Sequence, residues 1–107
     1  MQESAKHIAI LGAGESGVGT AVLAQKQGYS VWVSDKGQIK QKFKTELDSY
    51  HISWEEGQHT EQKILTAQVI VKSPGIPDSV PIVRKAMELG IKVVSEIEFA
   101  GWFTNAF

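Results

Sequence analysis

A glycine-rich turn directly after an apolar run is the feature that most constrains this chain. Residues 8–19 read Ile-Ala-Ile-Leu-Gly-Ala-Gly-Glu-Ser-Gly-Val-Gly, so Gly12, Gly14 and Gly17 form a Gly-x-Gly-x-x-Gly pattern between a predicted strand and a predicted helix. Gly12 allows the tight turn, Gly14 lets a phosphate approach the backbone, and Gly17 lets the helix pack close to the sheet. Free N–H groups at such a helix start favour an anion. The pattern therefore predicts a diphosphate site in a nucleotide-binding domain.

The segments around the glycines strengthen this interpretation. Residues 15–27 are compatible with a helix that Gly28 ends, and a second apolar run over 29–33 leads to Asp35. An acidic residue about 20 positions beyond the glycines is where such domains hold a ribose hydroxyl. The carboxylate of Asp35 can equally accept from a base N–H. The alternative is a turn that binds nothing, with Asp35 as an ordinary residue at a strand end.

Length and composition set limits on the class of protein. The 107 residues predict one domain, with 1–6 as a disordered lead-in and 7–107 as the folded part. A net charge of −1 and a pI of about 6.3 give no reason for nonspecific binding to nucleic acid or an anionic membrane. No apolar run approaches the roughly 18 residues of a membrane span. The chain has no cysteine, which excludes disulfides and fits the cytoplasm, and its three histidines lack metal-ligand spacing, so no metal is expected.

Strand-like and helix-like segments alternate along the chain, which indicates βαβ units and a parallel sheet. The predicted strands are 7–11, 30–34, 52–54, 68–71 and 91–94, and the predicted helices are 15–27, 39–50, 61–65, 81–89 and 96–103. Right-handed crossovers turn this order into an α/β, doubly wound, Rossmann-like five-stranded sheet of order 3-2-1-4-5, with helices on both faces. Large apolar side chains expected in the core include Trp32, Trp54, Leu89 and Trp102.

Three separated segments are expected to form one crevice. Ligands bind such sheets at the carboxyl ends of the strands where the strand order reverses, which here lies between the first and fourth strands. The candidate ligand-binding residues at this edge are Gly14, Glu15, Ser16, Gly17, Asp35, Lys36, Ser73, Pro74 and Gly75. Ser16 is expected to donate its hydroxyl, and Glu15 to face solvent. The chain has no Gly-x-x-x-x-Gly-Lys-Ser/Thr motif and no Ser/His/Asp constellation, so neither an ATP site nor a catalytic residue is predicted in it.

Four segments together resemble a known family. They are Ile-Leu-Gly-Ala-Gly-Glu-Ser-Gly, Val-Ser-Asp, Val-Lys-Ser-Pro-Gly-Ile-Pro and Ser-Glu-Ile-Glu-Phe. Together they are similar to the amino-terminal domain of the Mur ligases, above all of the members that add D-glutamate. The resemblance spans residues 7–103. It implies the UDP-binding domain of a larger ATP-dependent ligase, which adds D-glutamate to UDP-N-acetylmuramoyl-L-alanine in bacterial peptidoglycan synthesis.

The resemblance also implies roles for individual residues. It places the diphosphate on residues 14–17 and the uracil near Asp35 and Lys36, with residues 73–75 on the other side of the uridine. ATP and Mg²⁺ would bind a central domain and D-glutamate a carboxy-terminal domain, so this chain by itself holds no cofactor. The glycine turn and Asp35 alone also fit a second function, the NAD(P)-binding domain of an oxidoreductase or an NAD-sensing module.

Overall fold

The computed structural model describes residues 6–104, in which five strands alternate with five helices. The strands are β1 (His7–Leu11), β2 (Ser30–Asp35), β3 (Ser53–Glu56), β4 (Val69–Lys72) and β5 (Lys92–Ser95). The helices are α1 (Glu15–Lys26), α2 (Gln41–Ser49), α3 (Glu61–Ile64), α4 (Pro81–Glu88) and α5 (Glu96–Gly101). Most of the predicted lead-in, residues 1–5, and the final residues 105–107 lie outside the described residues.

The five strands form one parallel sheet of order β3-β2-β1-β4-β5, which confirms the predicted fold class and strand order. Ile8 on the central strand pairs with Val31 on one side and Val69 on the other. The inner strands are nearly continuous apolar runs because helices cover both of their faces.

Alternate residues of β1 enter two separate cores. Ile8 and Ile10 pack with Phe99 of α5 in one cluster, which also includes residues of α1 and α2. Ala9 and Leu11 pack on the opposite face in a cluster that includes residues of α3 and α4. The helices therefore divide between the two faces, as a doubly wound sheet requires.

Several local predictions were wrong. β3 lies at Ser53–Glu56, later than the predicted 52–54, and α2 begins at Gln41 because the backbone N–H of Ile39 donates to the Glu56 side chain instead of entering a helix. Trp102 and Leu89 are exposed by 39% and 60%, since each follows the last residue of its helix. Two further tryptophans predicted in the core are only half-buried, with indole N–H groups that donate to carboxylates: Trp32 and Trp54.

Candidate functional site

The glycine turn between β1 and α1 leaves its backbone N–H groups open. Gly12 has a φ of +103°, a left-handed conformation that glycine adopts without strain. A Cβ on Gly17 would lie 2.0 Å from the Gly12 carbonyl oxygen, whereas a Cβ on Gly14 would meet nothing within 4 Å. No side chain caps α1, and the N–H groups of residues 14–17 donate to none of the described residues. Such groups at the positive end of a helix suit an anion.

Asp35, the predicted nucleoside contact, uses both carboxylate oxygens within the fold. Oδ2 accepts from the backbone N–H of Ala13 at 2.8 Å, and Oδ1 accepts from that of Gly37 at 2.8 Å. The first bond holds the glycine turn against the end of β2, and the second is a local turn typical of aspartate. Because each oxygen keeps a second lone pair, the carboxylate can still accept from a ligand. Contact with uracil stays a prediction.

The loop after β4 meets the glycine turn at the point where the strand order reverses. The Ser73 Cβ lies 3.0 Å from the position that a Cβ on Gly12 would occupy, so a side chain there would press on the loop. The loop is closed by a bond from the Ile76 N–H to the Ser73 carbonyl at 3.0 Å. Beneath it, Lys72 Nζ donates to the Ile76 carbonyl at 2.7 Å and pairs with Asp78 at 3.2 Å. These bonds fix the shape of the predicted crevice wall.

Three adjoining depressions surround this meeting point. A cleft of about 320 Å³, here called the nucleoside cleft, is lined by Gly12, Asp35, Lys36, His59, Gly75, Ile76, Pro77, Val80 and Pro81. A second depression of about 310 Å³ is lined by Ala13, Gly14, Glu15, Asp35, Gln38, Lys40, Lys42 and Phe43. A third of about 550 Å³ lies between α1 and α5 and includes Ser16, Pro74 and Glu96 in its lining. The three predicted segments therefore converge, but their residues divide among three depressions, and Gly17 and Ser73 line none of them.

Ser16 and Glu96 form a contact that the sequence did not indicate. Ser16 Oγ donates to Glu96 Oε1 at 2.8 Å. Glu96 is only 9% exposed, and its Oε2 is buried without a hydrogen-bond partner among the described residues. A serine hydroxyl carries one proton, so Ser16 cannot donate to a phosphate while it donates to Glu96. The predicted role of Ser16 as a hydroxyl donor therefore requires this bond to break.

Glu55, on β3, accepts four hydrogen bonds close to His59, which lines the nucleoside cleft. Its Oε2 accepts from the Thr60 N–H at 2.7 Å, from Ser34 Oγ at 2.9 Å and from Trp32 Nε1 at 3.2 Å, and its Oε1 accepts from Thr60 Oγ1 at 2.6 Å. Burial acts to raise the pKa of Glu55, but the bonds from Thr60, Ser34 and Trp32 outweigh it and bring the pKa below the ordinary 4.5. Glu55 is therefore a fixed anion that only accepts hydrogen bonds.

His59 lies between this network and the nucleoside cleft. Its Nδ1 is 2.6 Å from Ser34 Oγ, and Ser34 is fully buried. Burial lowers the pKa of His59 below the ordinary 6.5, against an upward effect of the Glu55 charge, and Lys36 adds to the lowering while Asp35 opposes it. The imidazole is thus mainly neutral at pH 7.

The sequence interpretation missed Glu55, His59 and Glu96 as parts of the site. His59 was counted among three scattered histidines, and the predicted end of β3 stopped short of Glu55. For His59 an available signal was position, because it follows β3, and residues just beyond the carboxyl end of a strand beside β2 reach the ligand edge of the sheet.

Within residues 6–104, no helix has the length and apolar character that a membrane crossing needs. The same residues contain no group of three or more histidine, cysteine or acidic side chains placed to hold a metal ion.

Sequence comparison identifies the family. The model of the MurD-like amino-terminal domain of Mur ligases matches residues 6–95. Curated relatives include the UDP-N-acetylmuramoylalanine–D-glutamate ligases of Christiangramia forsetii, 60% identical over 100 residues, and of Bacteroides thetaiotaomicron, 56% identical over 101 residues. Each match covers 94% of this chain but only 22% and 23% of the relatives, so the chain spans less than a quarter of their length.

Solved structures share the fold. The UDP-N-acetylmuramate:L-alanyl-gamma-D-glutamyl-meso-diaminopimelate ligase from Neisseria meningitides superposes with a TM-score of 0.78 at 23% identity, over 94% of this chain and 32% of that one. A pseudomurein peptide ligase type C from Methanothermus fervidus gives a TM-score of 0.78 at 22% identity, over 92% of this chain and 20% of that one. These similarities agree with the predicted Rossmann-like fold, and the family match favours the ligase interpretation over an NAD(P)-binding module.

Proposed function

Because the chain belongs to the Mur ligases as a MurD-like amino-terminal domain, we propose that it binds the UDP part of UDP-N-acetylmuramoyl-L-alanine. In the whole enzyme, ATP drives the addition of D-glutamate to this substrate, in the cytoplasm, during peptidoglycan synthesis. ATP, Mg²⁺ and D-glutamate belong to the other domains that the family resemblance implies. No residue of this chain is assigned a catalytic role.

The open backbone N–H groups of residues 14–17 support this proposal most directly. They stand at the start of a 12-residue helix without a side-chain cap, so both the hydrogen-bond donors and the helix dipole favour a diphosphate. Glu15 is exposed and shares the second depression with Lys40 and Lys42, whose positive charges offset its carboxylate. The turn is therefore not closed to an anion by Glu15.

The nucleoside cleft suits a flat base with polar edges. Ile76, Pro77 and Val80 supply apolar surface, and Asp35 and Lys36 supply an acceptor and a donor on the same lining. Small-molecule sites commonly combine apolar walls with a few placed polar groups. We assign the uracil to this cleft, with Gly75 on its lining and with Ser73 and Pro74 in the same loop.

A titration followed by amide NMR tests the assignment. UDP and, separately, NAD are added to the labelled chain, and the same titrations are run on Gly14→Val, in which a branched side chain fills the space where a phosphate would approach. Gly19→Ala is the matched control, because a Cβ there also meets nothing within 4 Å but lies one turn into the helix.

We expect UDP to shift the amides of residues 14–17, 35–36, 73 and 75 in the wild type and in the control variant Gly19→Ala, but not in Gly14→Val. Shifts at these amides with NAD and not with UDP would favour the oxidoreductase alternative. No response to either ligand at concentrations well into the millimolar range would contradict a nucleotide site at this edge.

A further inference from the structure

Ser34, fully buried next to His59, determines which nitrogen of His59 carries the proton. Three groups lie within hydrogen-bond distance of the single Ser34 hydroxyl: Glu55 Oε2 at 2.9 Å, the Gln58 carbonyl oxygen at 3.1 Å and His59 Nδ1 at 2.6 Å. The carboxylate and the carbonyl only accept, so the hydroxyl proton goes to one of them. The short contact to His59 is then favourable only if Nδ1 is the donor. Neutral His59 therefore carries its proton on Nδ1.

The opposite nitrogen, Nε2, is left with a free lone pair. Nε2 has no hydrogen-bond partner among the described residues. It is also not buried, so it reaches solvent. His59 lines the nucleoside cleft together with Asp35 and Lys36. A fixed, uncharged acceptor thus lies in a cleft whose other side-chain acceptor, the Asp35 carboxylate, already accepts from two backbone N–H groups.

We propose that His59 Nε2 accepts a hydrogen bond from the nucleoside of the bound UDP compound, either from the base imide N–H or from a ribose hydroxyl. The inference rests on the proposed UDP function. Both donors are present on uridine, and a neutral nitrogen held in one orientation can accept from either. The base has a single N–H, so His59 accepts from it only where Asp35 accepts from the ribose instead. Ser34 and Glu55 act on the nucleotide only through His59, so they are positioning residues.

This arrangement makes nucleotide binding depend on pH. Protonated His59 carries a hydrogen on both nitrogens, and an Nε2–H would then face the ligand's donor, so affinity falls as the pH falls. The charged groups around the imidazole are Glu55 of β3, Asp35 and Lys36 at the end of β2, and Glu61 of α3, which lines a neighbouring depression with His59. Imidazole is the side chain whose ordinary pKa lies between pH 5 and 8, so this pH range reports on His59.

The test measures the affinity of a UDP-linked sugar for this chain by calorimetry between pH 5 and 8. A UDP-linked sugar is used because free UDP has a terminal phosphate that itself titrates near pH 6. The variants are His59→Gln, whose amide oxygen can reach the Nε2 position and never protonates, and His59→Ala, which has no acceptor. His51→Asn is the control, since it removes an exposed histidine that follows α2, where φ is +59° and asparagine is well tolerated.

We expect wild type and His51→Asn to bind more weakly at pH 5 than at pH 8, with a loss that approaches about fivefold, the factor for losing one hydrogen bond, as His59 becomes fully protonated. His59→Gln should bind at pH 8 within a few-fold of wild type and show a flat profile, and His59→Ala should bind at least about fivefold more weakly at pH 8. Analogues methylated at uracil N3 or lacking the ribose 2′-hydroxyl identify the donor, because one of them should lose the pH dependence in the wild type.

Three results decide between the hypotheses. Wild-type affinity in both His59 variants at every pH would overturn the role of His59 and leave the UDP site standing. Absence of binding by the wild type at any pH would instead refute the proposed function itself. The third result is a loss of binding in His59→Ala that His59→Gln does not restore, while the residual binding keeps the wild-type pH profile. It would show that His59 acts only on packing and would also overturn the inference.

Discussion

The contact between Gly17 and Gly12 gives a sharp prediction about stability. A Cβ on Gly17 would lie 2.0 Å from the Gly12 carbonyl oxygen, and real Cβ atoms stay at least 3.0 Å from such neighbours. Gly17→Ala must therefore separate α1 from the glycine turn by about 1 Å, and neither partner is a flexible side chain that can rotate away. Gly17 is buried, so the helix cannot relieve the contact by facing solvent.

The size of the effect follows from two opposing contributions. Overpacking a well-packed site costs about 1–3 kcal/mol, and a clash between backbone atoms belongs at the upper end. Replacing glycine by alanine inside a helix returns about 0.5–1 kcal/mol. We expect Gly17→Ala to lower the free energy of unfolding by about 2 kcal/mol, or the melting temperature by roughly 8–16 °C in a domain of this size.

Gly19→Ala is the matched variant, two residues along the same helix. A Cβ on Gly19 meets nothing within 4 Å, so only the helical preference acts, and stability should rise by about 0.5–1 kcal/mol. Urea unfolding followed by circular dichroism measures both changes against the wild type. Equal stabilities for the two variants would refute the assigned close approach of α1 to the turn.

Three further predictions concern the carboxylates and the lysine around the site. Ser16→Ala leaves both carboxylate oxygens of Glu96 without a partner among the described residues, so it should lower the free energy of unfolding in urea by about 1–3 kcal/mol. Ser16→Thr keeps the hydroxyl and should stay near wild type. Equal stability of the wild type and both variants would contradict the bond. The pKa of Glu55 is lower in the folded state than its ordinary 4.5, so its stabilising effect is complete above pH 4.5 and is lost as the pH falls through the folded-state pKa. Glu55→Gln should therefore lose less stability than wild type on acidification below pH 4.5. Parallel curves of unfolding free energy against pH for the two proteins would exclude this effect. Lys72→Met removes the bond that holds the loop after β4, so amide exchange should quicken at Ser73, Gly75 and Ile76 and not in β2, a pattern that uniform exchange would contradict.

The sequence was sufficient for the fold because its strongest patterns are local. The apolar run before Gly12, the helix stop at Gly28 and the buried run of β4 each specify an element by themselves, and the handedness of βαβ units then orders the strands. Helix and strand ends depended on side chains from distant segments and were less predictable. Ile39 was predicted in a helix, yet Glu56, 17 residues further on, takes its N–H.

The candidate site was predictable as a place and not as a set of contacts. The convergence of Gly12, Asp35 and Gly75 on one cleft follows from topology alone. The Ser16–Glu96 bond joins residues 80 positions apart, and no periodicity in the sequence connects them. His59 gains its role from Ser34 and Glu55, which are oriented only once β2 and β3 are paired.

The polar residues of the site are already engaged in holding it together, and this limits what alanine variants can show. Asp35→Ala would remove the proposed acceptor of the uracil and, at the same time, the bond that holds Ala13 in the glycine turn. A fall in UDP affinity of about 1–3 kcal/mol then has two possible causes of similar size. The amide spectrum of the ligand-free variant separates them: unmoved amides at residues 14–17 assign the loss to the uracil contact, and displaced ones assign it to the turn. The same comparison applies to Ser16, because its hydroxyl, the proposed phosphate donor, already donates to Glu96.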